Sequence, residues 1–97
     1  MSQEHFNIIK RPVVTEKTSF LREEENQYVF EVAQSATKID VRQAVERIFG
    51  VRVLDVKTAI VRGKVKRMRR GFGKQPNWKK AIVHVHHEDD IPLFEGA

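Results

Sequence analysis

The chain has 97 residues, with 18 Lys+Arg against 13 Asp+Glu and a formal net charge of +5. That length suits one domain with a modest core and is too short for a deep cleft between two lobes. The absence of Cys excludes a disulfide scaffold, a Cys-ligated zinc site and a thiol nucleophile, and no run approaches the ~20 apolar residues of a membrane span. The opening Met1-Ser2-Gln3-Glu4-His5 lacks the basic-then-apolar layout of a secretory signal, so a soluble intracellular protein is expected.

Residues 6–11 read as extended, because Pro12 disfavours helix at Arg11. Thr15 is a good N-cap and Glu16 falls in the first turn, where the helix dipole favours an acid. A short helix to about Leu21 is expected, anchored by Phe20 and Leu21. Glu23-Glu24-Glu25-Asn26 is expected to break it as a solvated turn. Residues 27–33 alternate with period two, placing Tyr28, Phe30 and Val32 on one face of a strand.

Thr37-Lys38-Ile39-Asp40 resembles a capping box with Asp in place of Glu. Val41, Ala44, Val45, Ile48 and Phe49 then form one apolar stripe of an amphipathic helix, and Gly50 stands where a C-terminal glycine cap belongs. Residues 51–61 are a β-branched strand whose alternation changes phase near Val53-Leu54, which predicts a bend or a bulge. Residues 78–87 return to strand, with Ala81, Val83 and Val85 on one face. Strands with two interspersed helices predict an α+β fold, an antiparallel sheet with helices packed on one face.

The charge is unevenly placed. Between Asp55 and Glu88 there is no acid, while window 56–87 holds ten bases: Lys57, Arg62, Lys64, Lys66, Arg67, Arg69, Arg70, Lys74, Lys79 and Lys80. Eight bases and all thirteen acids remain elsewhere, so the window is +10, the remainder −5, and the two sum to +5. A basic block on an acidic body is the footprint of a polyanion partner. Most of it lies in residues 62–77, a connection of a length that is normally functional or disordered; two arms of ~8 residues would project ~25 Å. Arg forks bind phosphate oxygens in pairs and Lys supplies point charge. Phe72 and Trp78, interleaved among these bases, suit stacking on unpaired bases, a habit of RNA more than of duplex DNA. Lys10 and Arg11 add two further candidate phosphate contacts at the N-terminal extended segment.

Other chemistry finds less support. Arg70-Gly71-Phe72-Gly73 begins like an RNA-recognition-motif signature, but Lys74-Gln75-Pro76 then replaces the strand that carries its stacking rings. The spacing of a phosphate-binding P-loop is absent. His84 and His86 would share a strand face and, with Asp89 or Asp90, suggest zinc, but no ligand geometry follows from the spacing. No nucleophile or cleft points to an enzyme, and no cofactor, metal or small-molecule substrate is expected. The residues alone leave open a structural RNA-binding protein, a free-standing adaptor for RNA or single-stranded nucleic acid, and a metal-dependent enzyme built on the histidines.

Five segments together narrow this. Pro12-Val13-Val14-Thr15-Glu16-Lys17, Ala36-Thr37-Lys38-Ile39-Asp40-Val41-Arg42-Gln43-Ala44-Val45-Glu46, Phe49-Gly50-Val51-Arg52-Val53, Gly63-Lys64-Val65-Lys66-Arg67 and Trp78-Lys79-Lys80-Ala81-Ile82-Val83 resemble, in order and spacing, the bacterial form of large-subunit ribosomal protein family L twenty-three. The resemblance implies a single domain over residues 1–97, with a four-stranded antiparallel sheet and a long basic hairpin loop at 62–77. It also implies a cytoplasmic, ribosome-bound structural protein that contacts 23S rRNA at the rim of the polypeptide exit tunnel, beside ribosomal protein L twenty-nine, with no membrane insertion. In that family the turn matching Val14, Thr15, Glu16 and Lys17 docks trigger factor, and the signal recognition particle also contacts the protein. The loop corresponding to residues 62–80 reaches into RNA. The tail, His86-His87-Glu88-Asp89-Asp90, departs from the family's glycine-containing turn, and no contact is carried over to it.

Overall fold

Alternating strands and two capped helices appear in the computed structural model, which describes residues 8–68, 71–74 and 76–92. In chain order they are β1 (Ile9–Pro12), α1 (Glu16–Glu25), β2 (Gln27–Val32), α2 (Lys38–Phe49), β3 (Val53–Val61), β4 (Val65–Met68), β5 (Gly71–Lys74) and β6 (Trp78–Val85). Four strands form an antiparallel sheet in the order β1-β2-β6-β3, and β4 and β5 pair antiparallel as a separate ribbon. The fold is α+β.

The period-two pattern builds the core. Tyr28, Phe30 and Val32 of β2 and Ala81, Val83 and Val85 of β6 are all buried on one face, with Tyr28 opposite Val83 and Phe30 opposite Ala81. α2 lies over this face and sinks Val41, Ala44 and Val45 into it. Phe49 stacks on Phe30 with ring centroids 5.8 Å apart. Both ends of α2 are closed as its sequence predicts. The Thr37 N–H donates to Asp40 Oδ2 at 3.0 Å and the Asp40 N–H to Thr37 Oγ1 at 3.2 Å. Gly50 takes φ 66°, open to glycine at no steric cost, and its N–H donates to the Glu46 carbonyl.

The predicted bulge is present. Val53 pairs with Val85 and Asp55 with His84, leaving Leu54 as the extra, exposed residue. The insertion puts Val53 and Val56, three apart, on the same buried face.

α1 departs from expectation. It does not break at the three glutamates but runs through them to Glu25, since Glu is a good helix former. Asn26 stops it in the left-handed region, φ 52° and ψ 37°. That conformation is held from across the fold: Asn26 Nδ2 donates to the Val85 and His86 carbonyls at 2.8 Å each, and the Val85 N–H donates to the Asn26 carbonyl. Phe20 is no anchor either. It is 59% exposed, and no residue of α1 is buried.

The two helices also take different positions from the shared face expected. Side chains alternate across a strand, so Val29 and Ile82, partners in the β2–β6 ladder, point away from the face that α2 covers. α1 flanks this second face, with Thr18 and Leu21 beside Val29 and Ile82.

Two further points differ from the sequence reading. β6 ends at Val85, before His86, because the chain turns there and the Asp89 N–H donates to the His86 carbonyl. The basic connection carries paired strands of four residues, shorter than the ~8-residue arms considered above. Arg69, Arg70 and Gln75 lie outside the described residues, as do Phe6, Leu93 and Phe94.

Beyond β6 the chain straps the end of the sheet. Arg52 donates from its backbone N–H at 2.7 Å and from Nε at 3.0 Å to Asp89 Oδ2. These bonds hold the Asp89 carboxyl at about 2, well below its ordinary 3.8. The Tyr28 hydroxyl donates to Asp90 and accepts from the Ile91 N–H, and Ile91 is buried.

Candidate nucleic-acid interface

The uncovered face of the sheet assembles in rows set by register. Arg11 lies opposite Glu31, which is opposite Lys80, which is opposite Ala59. The adjacent rows run Val29, Ile82, Lys57 and then Trp78 with Val61. Three strands therefore deliver Arg11, Lys57, Lys80 and Trp78 to one surface, although 69 positions separate the first from Lys80 in the chain.

These cations are not equivalent. Arg11 Nε donates to Glu31 Oε1 at 2.7 Å, and its guanidinium sits 5.9 Å from the centroid of the Trp78 ring. Its charge is partly answered and its geometry partly set. Among the described residues, Lys57 and Lys80 have neither a carboxylate nor a hydrogen-bond partner. Uncompensated positive charge beside an aromatic ring favours a phosphate-bearing partner.

Lys79 goes elsewhere. Ala81, Val83 and Val85 share the covered face, and the same alternation puts Lys79 there. Its ammonium donates to the Ala36 carbonyl at 2.6 Å and the Gln34 carbonyl at 3.4 Å, so it holds the turn before α2.

At the edge of the face the basic connection begins. Arg62, Lys64 and Arg67 are exposed, as is Lys10 on β1. Asn77 closes the neck: its Oδ1 accepts from the Gly63 N–H at 2.8 Å and its carbonyl accepts from Gln34 Nε2 at 2.6 Å. Asn77 was not singled out from the sequence, where a polar residue before a strand carries no such signal. The β4–β5 ribbon sets Arg67 opposite Phe72 and Val65 opposite Lys74. Gly71 opens β5 at φ 129°, a conformation that glycine alone adopts freely. Arg69 and Arg70, and the side chains of Lys66, Phe72 and Lys74, lie outside the described residues.

Between α1 and the open face is a groove of about 300 Å³. Leu21, Val29, Val61 and Ile82 give it apolar walls, and Trp78, Lys17 and Lys80 also line it. Four separate segments make this groove, which is why period and spacing along the chain do not reveal it. The one available signal is that Val29 and Ile82 are apolar on the face opposite the core.

Val14, Thr15, Glu16 and Lys17 form a continuous exposed stretch at the start of α1. Thr15 is committed internally, since its N–H donates to Thr18 Oγ1 at 2.7 Å while its hydroxyl accepts from the Thr18 N–H at 3.2 Å. Val14 and Glu16 are left to face outward, with exposed Phe20 one turn beyond Glu16, while Lys17, also exposed, lines the groove.

The histidines do not group as their strand spacing suggests. His84 stays on β6, whereas His86 and His87 follow it and stack on each other with centroids 4.4 Å apart, close to Glu88. His86 Nδ1 already accepts from the Glu88 N–H at 3.1 Å. Among the described residues no helix is long and apolar enough to cross a membrane.

The family profile described as Ribosomal protein L23 matches residues 7–93. Curated relatives named "Large ribosomal subunit protein uL23" align over nearly the full chain. The one from Anaeromyxobacter sp. (strain K) is 57% identical over 91 residues, covering 94% of each chain. That from Myxococcus xanthus (strain DK1622) is 52% identical over 91 residues, again 94% of each, and that from Desulforapulum autotrophicum is 50% identical over 92 residues, 95% of this chain and 97% of the relative. These matches show that the chain belongs to the L23 family of large-subunit ribosomal proteins, a family of structural proteins and not of enzymes.

Proposed function

We infer that the chain binds 23S rRNA through the open sheet face and the basic connection that leaves it, as a structural part of the large subunit at the rim of the exit tunnel. The observation that carries this is the run of unanswered positive charge. Lys57 and Lys80 stand unpaired among the described residues on the open face, with Lys80 near Trp78 in the groove, and the surface continues into Arg62, Lys64 and Arg67 with no acid between Asp55 and Glu88. Phosphate contacts supply affinity and little sequence information. Fit to a particular RNA then comes from the shape of the β4–β5 ribbon and from stacking.

The test is a salt titration of binding to protein-free large-subunit rRNA. With ~6 phosphates contacted at ~0.7–0.9 each, log K falls against log salt with a slope of roughly −4 to −5. A flat titration would sink the reading. Arg67→Glu with Arg70→Glu removes binding while the circular dichroism of the folded chain persists; retained binding moves the interface elsewhere.

A second surface belongs to the same reading. Val14, Thr15, Glu16 and Lys17 lie exposed where α1 begins, and match the turn that docks trigger factor in the family. We assign this stretch to the chaperone and to the signal recognition particle, and the neighbouring rim to ribosomal protein L twenty-nine. Glu16→Ala weakens chaperone recruitment to reconstituted subunits and leaves the rRNA titration unchanged.

A further inference from the structure

We propose that the groove between α1 and the open sheet face receives one unpaired nucleotide, extruded from the RNA and stacked on Trp78. The proposal rests on the RNA-binding reading above and adds to it a built site for a single base.

Volume comes first. At about 300 Å³ the groove lies at the small end of ligand pockets, roughly 300–1,000 Å³, the scale of one nucleotide and too narrow for a duplex. The lining then restricts the chemistry. Leu21, Val29 and Ile82 offer apolar walls, and Trp78, Lys17 and Lys80 complete the lining with one aromatic ring and two cationic side chains. Neither lysine has a partner among the described residues. An apolar peptide side chain would fill the walls and leave two cations to be desolvated without compensation, which is costly. An acidic side chain would answer the lysines and leave the indole and the apolar walls unmatched. A nucleotide satisfies all three, with a flat base for the ring and walls and a phosphate for the ammonium groups.

The ring is also positioned in advance. Arg11, itself tied to Glu31 at 2.7 Å, sits over Trp78 at 5.9 Å from its centroid. A guanidinium can cover only one face of an indole, so this contact does not by itself bar a base from the ring. Because Trp78 is anchored in β6 opposite Val61, the base would meet a platform already ordered, so little entropy is lost on stacking. Single-stranded RNA is recognised in this way, with splayed-out bases on aromatic rings.

Trp78 is the sole tryptophan, so its emission reports on the groove directly. The full chain is titrated with protein-free large-subunit rRNA while binding and emission are read together. The expected result is quenching that tracks binding. Trp78→Leu, which keeps an apolar side chain, binds roughly ten-fold more weakly with an unaltered salt slope, because no charge is lost. Trp78→Phe recovers part of the difference. Irradiation of assembled subunits yields a nucleotide adduct on the Trp78 peptide. Binding with the full salt slope but unchanged wild-type emission overturns the groove proposal and leaves the RNA reading standing. An adduct between Trp78 and another protein also overturns it and gives the groove to that protein. Absence of any rRNA binding overturns the RNA reading itself, and the groove proposal with it.

Discussion

The same strands build two unlike surfaces. On one side of β2 and β6, Tyr28, Phe30, Val32, Ala81, Val83 and Val85 are buried beneath α2. On the other, Val29, Glu31, Trp78, Lys80 and Ile82 face a groove and solvent, joined by Arg11 and Lys57 from the flanking strands. Because successive side chains point to opposite faces, residue parity divides the packed core from the open basic face. On the proposed reading, a substitution at one position is expected to act on the fold and the substitution next to it on RNA binding.

Three variants test that division. The largest effect belongs to the covered face. Phe30→Ala removes a ring 1% exposed and stacked on Phe49, and the expected loss is about 3–5 kcal/mol, a large share of the ~5–15 kcal/mol of a small domain. Urea denaturation measures it, and a loss below ~1 kcal/mol would mean that α2 does not seal this face. Next is the open face. Lys57→Gln with Lys80→Gln leaves the urea midpoint within ~0.5 kcal/mol of the parent, while the salt slope of rRNA binding becomes shallower by ~1.4–1.8. Marked destabilisation would break the separation of the two faces. The smallest effect sits at the strap that closes one end of the sheet. The bonds from Arg52 hold the Asp89 carboxyl at about 2, below its ordinary 3.8. A lowered folded value stabilises above the unfolded one, and the contribution is lost as pH falls from 3.8 to about 2. Asp89→Asn therefore flattens the acid limb of a stability-against-pH curve in that window and nowhere else.

How much was legible beforehand follows from the range of the forces involved. The capping box at Thr37 and Asp40, the glycine stop at Gly50 and the bulge at Leu54 are local events, and local sequence predicts each of them. The length of α1 is not local. Glu23, Glu24 and Glu25 favour helix, and the stop at Asn26 depends on carbonyls of Val85 and His86 some sixty residues later. Phe20 looks like an anchor by type but is exposed by position. Lys79 and Lys80 look alike in sequence. Their parity relative to Ala81 separates them, and only the Ala36 carbonyl shows what Lys79 does.

Alternation, periodicity and the uneven placement of charge were enough to specify an α+β domain with a buried sheet face and a basic segment, since each depends on neighbours within one element. Tertiary structure alone decided which cations remain free, where α1 stops, and that Val29, Leu21, Trp78 and Ile82 meet in a groove. The reason is that each of these needs contacts between segments far apart in the chain, and a pattern with a period of two or three and a half residues carries no information about which distant segment will arrive.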